Sequence, residues 1–303
     1  MILHHYDFSN YSEKARLALG YKRLAWGSVI IPPIAPKPDL TPLTGGYRKT
    51  PVLQVGADIY CDTALIVREL ERRAPEPTLF PPHLAASADA VAFWAENRLF
   101  RPMSLYVSGN NMDVLPPTLQ ADRARMRGLP EPDDATMRRA AARSATHVRP
   151  QIAAIESMFT DGRAWIAGDA PTIADLAVYH ALWFITARTD RLAHELQPHP
   201  RIHAWMAKVR AFGHGTPTPM SAQDAIAVAR SSTPEEARPS SPQLEDPKPG
   251  DLVRIRADDY GRDPVEGELV FIDDREIAIW RTDPIAGEIV VHFPRLGYDL
   301  RPL

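Results

Sequence analysis

Residues 231–250, SSTPEEARPSSPQLEDPKPG, hold five prolines and one large apolar side chain, Leu244. Each proline fixes its own φ and removes a backbone donor, so the run reads as an extended connection. It divides the chain. Before it, strand and helix signals alternate and then give way to helix alone. After it, apolar residues recur with period two. Three packed units are therefore expected, over 1–75, 85–230 and 251–303, with 231–250 as the linker.

In the first unit, Ile2–Tyr6, Ala25–Ile31, Pro51–Val55 and Asp58–Cys61 read as strands, and Ser12–Lys22 and Thr63–Arg73 as helices. A βαβ unit followed by a ββα unit predicts a mixed sheet covered by helices. Between 85 and 229 no strand signal occurs. Helical periodicity runs through Ser87–Leu105, Met137–Met158, Thr172–Ala187, Pro200–Phe212 and Ser221–Arg230, which predicts an all-helical bundle of five or six helices. The last unit carries short strands, Leu252–Ile255, Glu268–Ile272, Glu276–Trp280 and Glu288–Phe293, in the pattern of a small all-β barrel of SH3 type. Roughly 53 residues is near the lower limit for a domain folding alone, so it is expected to dock on the rest.

Composition narrows the functions. The net charge of −3 gives no reason to expect nucleic acid or an anionic membrane as partner. The last unit has seven arginines against twelve acids, a net −5, which argues the same way. No apolar run approaches the roughly 18 residues of a membrane span, and MILHHYDFS does not read as a signal peptide. Cys61 is the only cysteine; it is read as a buried, inert thiol, and the chain as cytoplasmic. No Asp or Cys stands at ligand spacing beside His4 and His5, so no metal is expected.

Four stretches carry chemistry: FSNYSEKARLAL (8–19), TPVL (50–53), YCDTALIVREL (60–70) and GDAPTIADLAVY (168–179). Asn10 and Glu13 have capping-box spacing, which puts Ser12 in the first turn, solvated, and leaves Ser9 ahead of the helix and free of capping. Pro51 alone reads as a trans proline opening an edge strand. Asp62 and Thr63 fit an N-cap as well as a clamp for a ligand bearing both ammonium and carboxylate. Thr172 with Asp175 is a capping box and structural. Met103 and Tyr106 read as core packing on their own.

In this order, over these patterns, the four stretches resemble the cytosolic glutathione transferase family, with its thioredoxin-like N-terminal domain and all-helical C-terminal domain. The resemblance covers the first 230 residues and leaves the β unit outside. It implies glutathione as substrate, a small hydrophobic electrophile as its partner, and a homodimer. Ser9 stands where the family places the residue facing the glutathione sulfur. Thr50-Pro51 stands at its cis-proline, whose backbone pairs with the bound peptide, and Asp62 and Thr63 at its γ-glutamyl clamp. The resemblance puts Phe8, Met103 and Tyr106 in the second-substrate pocket. It also has departures: Asn10 follows Ser9 where proline is common, Asp-Thr replaces Glu-Ser, and Lys37 and Lys49 fall in a loop with no counterpart. An enzyme that activates the glutathione thiolate is the reading of first choice. A non-catalytic scaffold using the β unit for recruitment is the alternative, and Ser9 in place of cysteine counts against a thiol-disulfide reductase.

Overall fold

The structure is a computed structural model describing residues 1–303. Strand β1 (Ile2–His5), helix α1 (Asn10–Tyr21) and the parallel strand β2 (Ala25–Ile30) form the expected βαβ unit. After the single turn α2 (Thr41–Thr44), β3 (Val52–Val55) pairs antiparallel with β1 and β4 (Asp58–Cys61) with β3, and α3 (Thr63–Arg73) follows. The sheet order β4-β3-β1-β2 with its helices is the thioredoxin-like arrangement.

Period two divides this sheet between two cores. Leu3, Leu53 and Tyr60 point into a core shared with the helical bundle, while their neighbours Ile2, Val52, Ile59 and Cys61 point to the opposite face. The bundle comprises α4 (Ala85–Trp94), α5 (Phe100–Asn110), α6 (Pro117–Met126), α7 (Asp134–Met158), α8 (Ile173–Trp183) and α9 (Pro200–Arg210); the helix after it, α10 (Ala222–Ser231), expected in the bundle, packs on the opposite face of the sheet instead. A π-helical turn, Ala95–Leu99, joins α4 to α5. Helix α8 is apolar almost all round and is buried against α1 and α4. Its capping box is present: the Thr172 N–H donates to Asp175 Oδ2 at 2.8 Å, and Asp175 Oδ1 accepts from Ile166 N and Trp205 Nε1. Helix α7 continues past Pro150 without ending there.

Two further elements depart from expectation. Helix α6 (Pro117–Met126) lies within the stretch 115–134, which carried no helix signal. Strand β5 (Thr216–Pro219) lies within the segment read as purely helical and pairs parallel with β2.

Beyond the linker, β6 (Leu252–Ala257), β7 (Val265–Ile272), β8 (Glu276–Asp283), β9 (Gly287–Pro294) and β10 (Tyr298–Pro302) form an antiparallel array in the order β10-β6-β7-β8-β9. This β region is not detached. Strand β9 pairs parallel with β4, Asp58 opposite Val290 and Tyr60 opposite His292, so one sheet of ten strands crosses the molecule. The pairing covers an edge that would otherwise present free N–H and C=O groups. The face of the first sheet carrying Ile2, Val52 and Ile59 is packed against Ala225 and Ala229 of α10 and against Ile255, Ile279 and Phe293. The linker has no helix or strand but is fastened at intervals: Glu235 N donates to Asp58 Oδ2, Ser241 N to Ile272 O and Gly250 N to Leu269 O.

Candidate functional site

A cavity of about 950 Å³ opens where the first sheet, the bundle and the β region meet. Phe8, Ser9, Thr50, Pro51, Asp62 and Thr63 all line it. Met103 and Tyr106 do not. Met103 is fully buried in the bundle core, and the Tyr106 hydroxyl donates to Glu195, so the expectation that they wall a second-substrate pocket is corrected. The helical wall is formed instead by α5 through Ser104 and Ser108, by α6 through Arg123 and its C-cap residue Arg127, and by Phe184 and Arg188 beyond α8.

Ser9 is the N-cap of α1, not a bystander to it. Helix α1 begins at Asn10, and Ser9 Oγ accepts from Ser12 N at 3.1 Å. Glu13 does not reach back; its carboxylate takes Arg16 Nη2 at 2.8 Å and His214 Nε2 at 3.1 Å. Asn10 donates from Nδ2 to His180 Nδ1 at 2.8 Å, and Ser12 is buried, not solvated. Capping uses only an acceptor lone pair of Ser9, because a hydroxyl also carries one donor. The Ser9 O–H therefore remains able to donate into the cavity, at the positive end of α1.

The Thr50–Pro51 peptide bond is cis. The Thr50 backbone N–H and C=O make no hydrogen bond within the protein. Its hydroxyl is held from the side: Lys37 Nζ donates to Thr50 Oγ1 at 2.6 Å and to Arg48 O at 3.3 Å. Burial, reinforced by the Arg123 and Arg48 guanidiniums, lowers the Lys37 pKa to about 7.

Asp62 caps α3 with a φ of 72°, its Oδ1 accepting from Ala64 N at 3.0 Å. Its Oδ2 accepts from the Tyr298 hydroxyl at 3.0 Å, and Tyr47 donates in turn to Tyr298 at 3.0 Å. Both tyrosines are buried, and burial raises their pKa values well above the ordinary range. Thr63 Oγ1 accepts from the buried Lys14 Nζ at 3.3 Å, which is also paired with Glu96 on the π-helical turn. Burial raises the Glu96 pKa against the pull of Lys14.

The β6–β7 loop supplies a further wall. Asp259 Oδ1 lies 2.6 Å from Lys49 Nζ, and that ammonium sits 4.8 Å from the centre of the Tyr260 ring and 5.4 Å from that of Tyr298. Burial opposes the Lys49 charge, but Tyr260, Asp62 and Asp259 outweigh it and raise its pKa. Gly261 N donates to Met126 O at 2.7 Å, fixing this loop to the end of α6. Cys61 faces away and is fully buried; burial, then the Asp62 carboxylate, raises its thiol pKa. Tyr47, Tyr298, Asp259 and Tyr260 carry no signal in the sequence, since three of them come from the far end of the chain.

Residues 3–78 match the model of the glutathione S-transferase N-terminal domain, and residues 138–208 that of the glutathione S-transferase C-terminal domain. A GST-like protein from Pseudomonas syringae of known structure is 38% identical, with a TM-score of 0.81, and the match covers 100% of this chain and 98% of that one. The chain belongs to the glutathione S-transferase family. A glutathione S-transferase from Rhodospirillum rubrum F11 shares 22% identity over 69% of this chain and 87% of its own, with a TM-score of 0.54. One from Methylobacterium radiotolerans, solved in complex with glutathione sulfonate, shares 22% over 72% and 95%, with a TM-score of 0.53. These two share the fold. None of the curated proteins compared matches the chain. The P. syringae match extends through the β region, whereas the other two leave more than a quarter of the chain uncovered. Membership of the transferase family supports a glutathione-binding, transferase-type function.

Proposed function

We propose that the protein is a glutathione transferase in which the Ser9 hydroxyl stabilises the glutathione thiolate for attack on a small hydrophobic electrophile. One observation carries this: Ser9, with a free O–H at the N-terminus of α1, shares its cavity with the unpaired Thr50 backbone and the Asp62–Thr63 helix start. Glutathione is an extended peptide. Its backbone suits the free N–H and C=O of Thr50, as an added strand suits a sheet edge. The γ-glutamyl end offers an ammonium to Asp62 and a carboxylate to Thr63 and the α3 N-terminus. The complex of the M. radiotolerans protein with glutathione sulfonate supports placing this ligand in the fold.

The cysteine thiol of glutathione has an unperturbed pKa near 8.5, so little of it is thiolate at neutral pH. A hydroxyl donating to sulfur and the positive helix end both favour the charged form. The thiolate then attacks the electrophilic carbon, and the leaving group departs with its electron pair. A homodimer belongs to the same reading, and sedimentation equilibrium tests it.

Replacing Ser9 by Ala is expected to lower kcat with glutathione and a chloronitroaromatic on the order of 10²-fold, the scale of one lost charge-stabilising donor, and to change retention on immobilised glutathione far less. Because Ser9 also caps α1, Ser9→Asn keeps a cap acceptor and serves as the stability control. Equal turnover in the wild type and Ser9→Ala removes Ser9 from catalysis.

A further inference from the structure

The cavity has a cationic end at which one guanidinium, that of Arg188, has no carboxylate partner. Arg188 follows α8 and lays its guanidinium over the Phe8 ring, Cζ 4.1 Å from the centroid. Its Nε is buried without a hydrogen-bond partner. Arg123 stands nearby. It donates from Nη2 to Tyr6 Oη at 3.1 Å, and the Tyr6 and Phe8 rings lie 4.6 Å apart, so one continuous wall links the two guanidiniums. Arg123 is balanced by Asp122 at 2.7 Å; Arg188 has no carboxylate. Of the acids that line the cavity, Asp62 is engaged by Tyr298, Asp259 by Lys49, Glu96 by Lys14 and Asp89 by Arg68, and none of them pairs with Arg188. Arg127, the C-cap residue just past the end of α6, adds a third positive group with only the Arg123 carbonyl as acceptor. Burying an unpaired guanidinium costs free energy, and its planar fork matches a carboxylate.

We propose that Arg188, with Arg123 beside it, forms a carboxylate subsite at the Phe8 end of the cavity, and that the electrophile this protein takes carries an anionic carboxylate. The proposal deepens the transferase reading and rests on it for the reaction. In that reaction the thiolate sulfur bonds to the electrophilic carbon while the bond from carbon to its leaving halide breaks. The halide leaves with the electron pair, and the thiol proton passes to solvent. Phe8 immediately precedes Ser9, so a substrate held by its carboxylate on Arg188 presents its carbon beside the sulfur site.

The test uses 4-chloro-3,5-dinitrobenzoate and its methyl ester with glutathione, each rate divided by its uncatalysed rate. The acid-to-ester ratio of kcat/KM is expected to exceed one in the wild type. It should fall on the order of 10- to 100-fold in Arg188→Gln, the size of a lost charge-assisted pair, with Arg188→Lys in between. A second readout needs no turnover: the Kd of unreactive 3,5-dinitrobenzoate, by calorimetry, is expected to rise by a similar factor in Arg188→Gln. Arg188-dependent binding of that acid without turnover of either electrophile sinks the transferase reading and sustains the subsite. Turnover of both electrophiles with a ratio that Arg188→Gln does not move overturns the subsite and leaves the transferase reading standing. Failure of the wild type to bind 3,5-dinitrobenzoate also overturns it.

Discussion

His292 on β9 joins the two ends of the chain, and replacing it by Phe shows what that junction is worth. Its Nε2 lies 3.1 Å from Asp58 Oδ1 on β4 and its Nδ1 2.7 Å from Glu276 Oε1 on β8, while its ring stacks on Tyr60 with centroids 4.3 Å apart. Phe keeps the ring and the stacking and removes both hydrogen bonds and the charge. The carboxylates left behind are 2% and 6% exposed. Glu276 retains Arg238, but Asp58 retains only the Glu235 N–H. Breaking a buried pair from one side costs about 3–5 kcal/mol, and the surviving Arg238 contact places the expectation near the lower figure, about 3 kcal/mol. The loss should depend on pH. Burial opposes the imidazolium, but the bonds to Asp58 and Glu276 outweigh it and hold the His292 pKa above its ordinary 6.5. A raised pKa stabilises the fold fully below the unfolded value and ceases to do so as pH rises through the folded one. Urea denaturation of both proteins from pH 5.5 to 9 should therefore give a difference that is largest near pH 5.5 and shrinks toward alkaline pH. A difference under 1 kcal/mol, or one that grows with pH, refutes the ion-pair account of this junction.

Two further outcomes follow from the site. Tyr298→Phe strips a donor from Asp62 and should raise the glutathione KM about 10-fold, the scale of a hydrogen bond to a charged group, with a smaller effect on kcat; steady-state kinetics reporting the opposite split remove Tyr298 from the positioning of Asp62. Lys37→Met should flatten the pH dependence of stability: with a folded pKa of about 7 against an ordinary value near 10.5, the unfolded chain binds more protons between those limits and wild-type stability rises with pH there, by up to about 1.4 kcal/mol per unit. Parallel urea-denaturation profiles for the two proteins from pH 7 to 9 contradict the buried, nearly neutral amine.

Local patterns were legible wherever one segment sufficed to define them. Helix α3 begins and ends at the residues its periodicity indicates, and Thr172 with Asp175 forms the capping box its spacing specifies. Where two local registers compete, sequence cannot choose. Both Ser9–Ser12 and Asn10–Glu13 have capping spacing, and the choice fell to Ser9 because Arg16 and His214, the latter 201 residues away, draw Glu13 off. The pocket wall is a different case. The spacing Ala95, Leu99, Met103, Tyr106 already puts the last two on the apolar face of one helix, and the structure buries both there. The expectation that they face a second substrate came from the family resemblance, and in this chain Ser104 and Ser108 line the cavity instead. Helix α6 mixes Asp122 among its buried positions, and β5 reads TPTP, a composition that suits only an edge strand.

Four of the five strands of the β region were legible, β10 (Tyr298–Pro302) was not, and none was legible as part of the site, because the region's place depends on which edge it joins. Pairing β9 with β4 aligns Tyr60 with His292, two residues before Asp62 and six before Tyr298. The same register that closes the β4 edge therefore delivers the Tyr298 hydroxyl to the carboxylate at the start of α3. Removing the β region would expose a strand edge and the apolar face around Ile59, and would leave Asp62 with its cap bond alone. The Asp62 carboxylate and the sheet edge are held by one set of contacts, so under the proposed function a change that loosens β9 from β4 should weaken glutathione binding, even though Pro294 is the one residue of β9 that lines the cavity.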